Sequence, residues 1–291
     1  MNAIGMRVAL SSALLLASIF SSATSAGITF GPVRAQPGES VRLLSHSETP
    51  GGTIQRSLNG TSSKGTIAIT RERELVWTFR APAQDGTKRG MVRVPSISTT
   101  TITKIAGKND TVTEPSPLNG KMFSMSKSPS GEWKFELDGS VPYSRSQSEI
   151  EELTIYLKRE WYPTREVNLG DSWEFDPAWI KMIVEKDLSQ AKTIGTMRLR
   201  QIRRGEKRQI AIIDVTIRST GGDYKADGSE SSASVDLSGQ LTVNLDTMLD
   251  ESLELKGTIN IDTNKAGETR KIKLPINLTV NKSFIRDTTS P

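Results

Sequence analysis

The strongest signal in the chain is a period of two in its C-terminal third. Val235, Leu237, Leu241, Val243 and Leu245 hold alternate positions, with Asp236, Ser238, Gln240, Thr242 and Asn244 between them. Leu253, Leu255, Ile259 and Ile261 repeat the pattern, as do Ile272, Leu274, Ile276, Leu278 and Val280. Such alternation over three successive segments predicts antiparallel strands with one dry and one wet face. Pro275 lies within the last of them and predicts an edge strand or a bulge, because proline cannot donate to a ladder. Two earlier strands are expected at about 193–203 and 207–218, joined at Gly205.

The N-terminal half reads as shorter strands between turn clusters. Ile67 and Ile69, then Leu75, Trp77 and Phe79, then Val92 and Val94 alternate with polar neighbours. The Ser/Thr-rich stretch 96–116 predicts an exposed hairpin or loop. Gly120–Gly139 predicts a hairpin whose arms carry Phe123 and Met125, then Trp133, Phe135 and Leu137, about a Pro129-Ser130-Gly131 turn.

Between the two meanders the period changes. Ser148 with Glu151 forms a capping box, and Ile150, Leu153, Leu157 and Trp161 fall on one helical stripe that Pro163 ends. A second, shorter helix is expected from Asp176 and Pro177. The pattern thus gives an N-terminal meander (41–139), a helical segment (146–186) and a C-terminal meander (193–280). The short connections favour one domain over 27–284 with a flexible tail at 285–291.

The N-terminus predicts export. Arg7 precedes an uncharged apolar run from Val8 to Phe20, and Thr24 and Ala26 stand at the −3 and −1 positions of a cut after residue 26. That run would reach only about 20 Å as a helix, short of a hydrocarbon core of about 30 Å. A signal peptide over 1–26 and a periplasmic or extracellular destination follow, and no later stretch predicts a transmembrane helix. The chain contains no cysteine, which excludes a lipid-modified cysteine, disulfides, a thiol nucleophile and thiolate metal sites.

Candidate chemistry is sparse. His46 is the one histidine of the chain, so a Ser–His–Asp arrangement would need it as base. It sits in a segment that reads as a polar turn, and no serine stands in a G-x-S-x-G elbow. Zinc is disfavoured, and Asp262 to Gly267 reads as a hairpin turn, so no metal or cofactor is expected. Glu174 and Asp176, flanked by Trp173 and Trp179, form the one cluster of acids and aromatics, and supply the candidate pair for a carbohydrate-active hydrolase. Arg198 and Arg200 on one strand face, with Arg203, Arg204, Lys207 and Arg208 at a hairpin tip, form a candidate anion patch. Nucleic acid is not an expected partner, since an exported chain with 5% aromatics has few platforms for bases. An outer-membrane barrel would also alternate. Against it stand the scarce aromatics, the polar C-terminus and the capped helix.

The Gly170-Asp171-Ser172-Trp173 turn, followed by long alternating strands, resembles a group of exported bacterial β-proteins carried as a domain of unknown function, in which a G-D-x-W turn leads into a C-terminal meander. This chain departs from many such envelope proteins in lacking a lipid-modified cysteine. More distantly it resembles lipoprotein-carrier-like half-barrels. The resemblance implies a mainly β (α+β) fold with one or two helices, a curved antiparallel sheet or half-barrel packed on a central helix, with an apolar groove and no catalytic residue. The functional expectation is a non-enzymatic envelope or secreted protein that binds an apolar ligand or a protein partner. The alternatives are a module with a filled interior and the Glu174/Asp176 hydrolase.

Overall fold

A computed structural model describes residues 27–137, 149–150, 153, 161–178, 192–206, 208–224, 229–265 and 267–285. In the N-terminal half lie β1 (Ser40–Glu48), β2 (Gly52–Leu58), β3 (Thr61–Arg80), β4 (Lys88–Ile105), β5 (Lys108–Pro115), β6 (Met122–Lys127) and β7 (Trp133–Leu137). They are followed by β8 (Ser172–Phe175), β9 (Lys192–Arg204), β10 (Gln209–Tyr224), β11 (Glu230–Asn244), β12 (Leu249–Lys265) and β13 (Glu268–Ile285). All join one antiparallel sheet in the order β7-β6-β4-β3-β1-β13-β12-β11-β10-β9-β8, with β2 between β13 and β3 and β5 beside β4. Both meanders therefore belong to a continuous sheet, joined where β1 pairs β13 from Ser40↔Ile285 to Glu48↔Asn277.

Turn chemistry sets several registers. Asn59 and Gly60 both have positive φ (48° and 82°) between β2 and β3, as do Ala106 and Gly107 (51° and 78°) between β4 and β5. Two such residues make the turn whose twist matches a right-handed hairpin. The expected 96–116 element is thereby a hairpin, and its second arm, β5, is exposed along its length. His46 falls within β1 rather than in a turn. The alternation of buried Val41 and Leu43 with exposed Arg42, Leu44 and His46 carries the strand on to Glu48, and the bend comes at Thr49–Gly51.

The expectation of a sheet packed on a central helix is overturned. Among the described residues the fold is nearly all β, with no helical element. Helical backbone occurs only at Glu149, Ile150, Leu153 and Ala178. Of the expected 146–186 segment, 161–170 forms turns and a bridge and 172–175 is β8, while 146–148, 151–152, 154–160 and 179–186 lie outside the described residues. The physical reason is that the sheet curls over part of its own apolar face, and extended segments cover more of it. Strands β8 to β13 would span about 24 Å if flat, at about 4.8 Å per neighbour, yet Phe175 of β8 and Lys282 of β13 line the same small cavity. The sheet must therefore curl. Gly239 and Gly257 permit it: a Cβ at either would lie 1.8 Å from the Glu254 carbonyl oxygen or 1.9 Å from that of Asp236.

The expected edge position of Pro275 is also corrected. β13 is an inner strand, paired with β12 along its length and with β2 and then β1 on its other side. The proline is tolerated because residues 274–276 face the break between β1 and β2, where that ladder is interrupted.

One apolar cluster fills the inner face. It draws on Val41, Leu43, Leu75, Trp77, Val92, Phe123, Leu199, Ile213, Leu237, Val243, Leu255 and Val280, among others. Extended segments complete the cover: Ile28 and Val167 exchange backbone hydrogen bonds at 2.8 Å, and Phe30 and Val167 are buried. Ile150 and Leu153 add their side chains to the same cluster. The apolar side thus faces inward and the polar side outward, the reverse of a lipid-facing barrel. No described helix is long and apolar enough to cross a membrane.

Candidate functional site: an apolar pocket with a buried charge cluster

The curled C-terminal strands enclose a pocket on the inner face. Met197 of β9, Val215 and Ile217 of β10, Leu241 of β11, Leu253 and Leu255 of β12 and Val280 of β13 form its walls, and Trp161 and Phe175 close one side. Its cavity volume is about 40 Å³, room for a few water-sized groups. Every wall residue except Trp161 comes from the period-two pattern, which points alternate side chains inward.

Two charged residues line this apolar space. Lys282 sits opposite Leu43 and continues the inward series of Leu278 and Val280. Asp250 arrives by a different route. The β11–β12 register jumps from Thr242↔Ser252 to Val243↔Asp250, leaving Glu251 bulged. Because Val243 is fully buried, its partner Asp250 is carried to the inner face, where unbroken alternation from Leu253 would have put Glu251. The two side chains are 6% and 4% exposed, with Lys282 Nζ 3.5 Å from Asp250 Oδ2. The Tyr162 hydroxyl donates to Asp250 Oδ1 at 2.5 Å.

Aromatic rings frame the ammonium. Lys282 Nζ stands 5.5 Å from the ring centre of Trp77 and 5.9 Å from that of Trp161, within cation–π range. The indole Nε1 atoms of both tryptophans are buried and have no acceptor among the described residues. Tyr162 is fixed by stacking on Phe30, ring centres 4.5 Å apart.

The Gly170–Trp173 turn positions this aromatic group. Gly170 takes a φ of +90°, where a side chain would be strained. Its N–H donates to the Leu199 carbonyl at 2.8 Å, and Leu199 N–H returns to the Asp171 carbonyl at 3.0 Å, docking the turn on β9. The Asp171 carboxylate accepts the Asn168 backbone N–H at 3.0 Å and Arg165 at 3.2 Å. These bonds, the first foremost, hold its carboxyl below the usual carboxylate range. Ser172 points outward, while Trp173 points in and donates through Nε1 to the Trp161 carbonyl at 2.9 Å. The motif thus fixes the backbone of the residue that roofs the pocket.

The other sequence candidates lie elsewhere. Glu174 is exposed on the face of β8 opposite Trp173, Asp176 is exposed two residues on, and Trp179 is outside the described residues. The structure therefore separates Glu174 from the indole of Trp173. Arg198, Arg200, Arg203, Arg204 and Arg208 are all exposed on the outer side. Arg200 pairs with Asp214 at 3.5 Å, Arg208 with Glu251 at 3.2 Å, and Arg203 donates to Gln201; Lys207 lies outside the described residues. His46 is half-exposed on the outer face, 3.7 Å from Glu48 and 3.8 Å from Glu72. Among the described residues no group of His, Asp and Glu is arranged to hold a metal ion.

No family profile matches the chain, and no curated protein matches it. Among solved structures, the Pseudomonas aeruginosa protein OccK7 (OpdD) aligns at a TM-score of 0.29 and 6% identity, over 86% of this chain and 100% of that one. DynF from the dynemicin biosynthesis pathway of Micromonospora chersina aligns at 0.20 and 7%, over 92% and 90%. The Salmonella SPI-1 type III secretion injectisome secretin InvG aligns at 0.14 and 10%, over 88% and 67%. Scores this low establish no shared fold.

Proposed function

We propose that this is an exported, non-enzymatic envelope or secreted protein that binds a small apolar ligand in the pocket of its curled sheet. The carrying observation is the pocket itself: aliphatic walls from five adjacent strands, closed on one side by Trp161 and Phe175. The N-terminal charge, apolar run and small-residue cut support export. The outward position of Glu174, away from Trp173, favours the binding reading over a carbohydrate-cleaving site.

A second reading is favoured by the cavity's size. At about 40 Å³ the interior is nearly filled, as a structural or interaction module without a ligand would have it. The two part on uptake of a small neutral apolar probe. The purified protein is titrated with xenon, followed by the xenon NMR shift, and its Val215→Trp variant, with a wall residue enlarged into the pocket, is titrated beside it. A saturable shift with the native protein, abolished in a folded Val215→Trp variant, supports binding. No such shift, or one untouched by the substitution, supports the filled module.

A further inference from the structure

We infer that the outer edge of β5 is a self-association site, where a second copy of this chain adds its own β5 antiparallel about a two-fold axis at Thr111. The inference is independent of the pocket.

β5 is the strand from which the fold gains least. It pairs β4 from Ser98↔Pro115 to Ile105↔Lys108, and among the described residues no strand lies on its other side. All 8 of its residues are exposed, Val112 at 44%. A strand this bare buries almost nothing within its own chain, and its outer row of backbone groups is a template for pairing.

The phase of that row follows from the turn. Positive φ at both Ala106 and Gly107 makes a two-residue hairpin, whose flanking residues Ile105 and Lys108 exchange both backbone hydrogen bonds. Pairs bonded to β4 then recur at Asp110, Val112 and Glu114. Asn109, Thr111 and Thr113 therefore turn their N–H and C=O groups to the outer edge, and Pro115, which has no N–H, ends the row. An antiparallel second copy must set these residues against their equivalents. With Thr111 opposite Thr111 of the second copy, Asn109 meets Thr113 and Thr113 meets Asn109, which gives about six backbone hydrogen bonds.

Charge selects this register. It sets Lys108 opposite Glu114 of the second copy, twice over, at the closely spaced positions where side chains meet. Moving the axis to Asp110 opposes that residue to its own equivalent, and moving it to Val112 opposes Asp110 to Glu114. Both place like charges directly across the ladder. Charges on an edge strand ordinarily guard it against every partner. Here they forbid the neighbouring registers and favour one.

The test is sedimentation velocity of the purified protein from about 10 to 500 µM, since an edge contact smaller than a standard interface associates weakly. The expected result is a mass that rises toward that of a dimer with concentration. Thr111→Pro removes an N–H that β4 does not use, and should keep the protein monomeric. Lys108→Glu and Glu114→Lys each oppose like charges twice, and each should weaken association by roughly 10- to 100-fold. An equimolar mixture of those two variants opposes unlike charges at both positions and should restore it. A native protein that stays monomeric throughout overturns the inference, whether the edge is guarded or kept for a different chain. So does association undiminished in Thr111→Pro, or a mixture no more associated than its components. The charge variants decide the matter even where Thr111→Pro fails to fold.

Discussion

Replacing Lys282 by methionine leaves Asp250 as a buried carboxylate with its ammonium gone. The pair is 3.5 Å apart and nine-tenths or more buried on both sides. At an effective dielectric of about 20, that separation corresponds to an attraction of about 5 kcal/mol. Removing one partner of such a pair costs about 3–5 kcal/mol, because the remaining charge keeps its desolvation penalty. For a domain of this size the loss corresponds to a fall in Tm of roughly 6–20 °C. Adding Asp250→Asn removes the second charge and keeps an oxygen for the Tyr162 hydroxyl, so the double variant is expected to recover to within about 1–2 kcal/mol of the native protein. The assay is urea unfolding of the native chain, both single variants and the double at neutral pH, with unchanged slopes as the check that the unfolding unit is the same. The cycle should show coupling of at least about 2 kcal/mol. Single losses below about 1 kcal/mol that simply add in the double would mean that water reaches both charges, and the cluster described above would not exist in solution.

Three further outcomes follow from the geometry. Gly257→Ala places a methyl 1.9 Å from the Asp236 carbonyl oxygen, so chemical denaturation should show a loss of about 2–3 kcal/mol; an unchanged midpoint would mean the sheet does not curl there. For Asp171, whose folded carboxyl titrates below its unfolded range, the stabilisation is present above the unfolded pKa and lost as pH falls through the folded one. The Tm advantage of native protein over Asp171→Asn should therefore be present at about pH 7 and gone by about pH 2, and an advantage constant across that span would count against the turn's hydrogen bonds. Glu174→Gln combined with Asp176→Asn should leave xenon uptake within about two-fold, since Glu174 faces outward; loss of uptake would place these carboxylates at the pocket.

The sheet was legible where one face is dry and the other wet. The alternation of Val235, Leu237, Leu241 and Val243 required no tertiary information, and all four are buried. The hairpin about Pro129-Ser130-Gly131 was equally local, and its arms pair as β6 and β7. The curl was not legible. Gly239 and Gly257 look like ordinary weak points in a strand, and only the facing backbones show why no side chain fits. The helical stripe misled about architecture because an amphipathic period says that a segment has a dry side, not that the sheet needs it for cover. Of the site, the Gly170–Trp173 turn was visible, but its role in holding the Trp161 backbone depends on a contact with Trp173. Lys282 could have been found by carrying the alternation of Leu278 and Val280 one step further. Asp250 could not, because the bulge at Glu251 inverts the phase. Charged residues in strands read as solvated by default, and the two that matter most are the exceptions.

A ligand pocket on the inner face of this curled sheet should come out of the cell occupied. Native mass spectrometry of the protein recovered from its own host, before and after denaturing extraction, tests that most directly. The expected result is a stoichiometric adduct on the native ion that is released on unfolding and is absent from Val215→Trp. A bare polypeptide mass, identical before and after denaturing extraction, would contradict it.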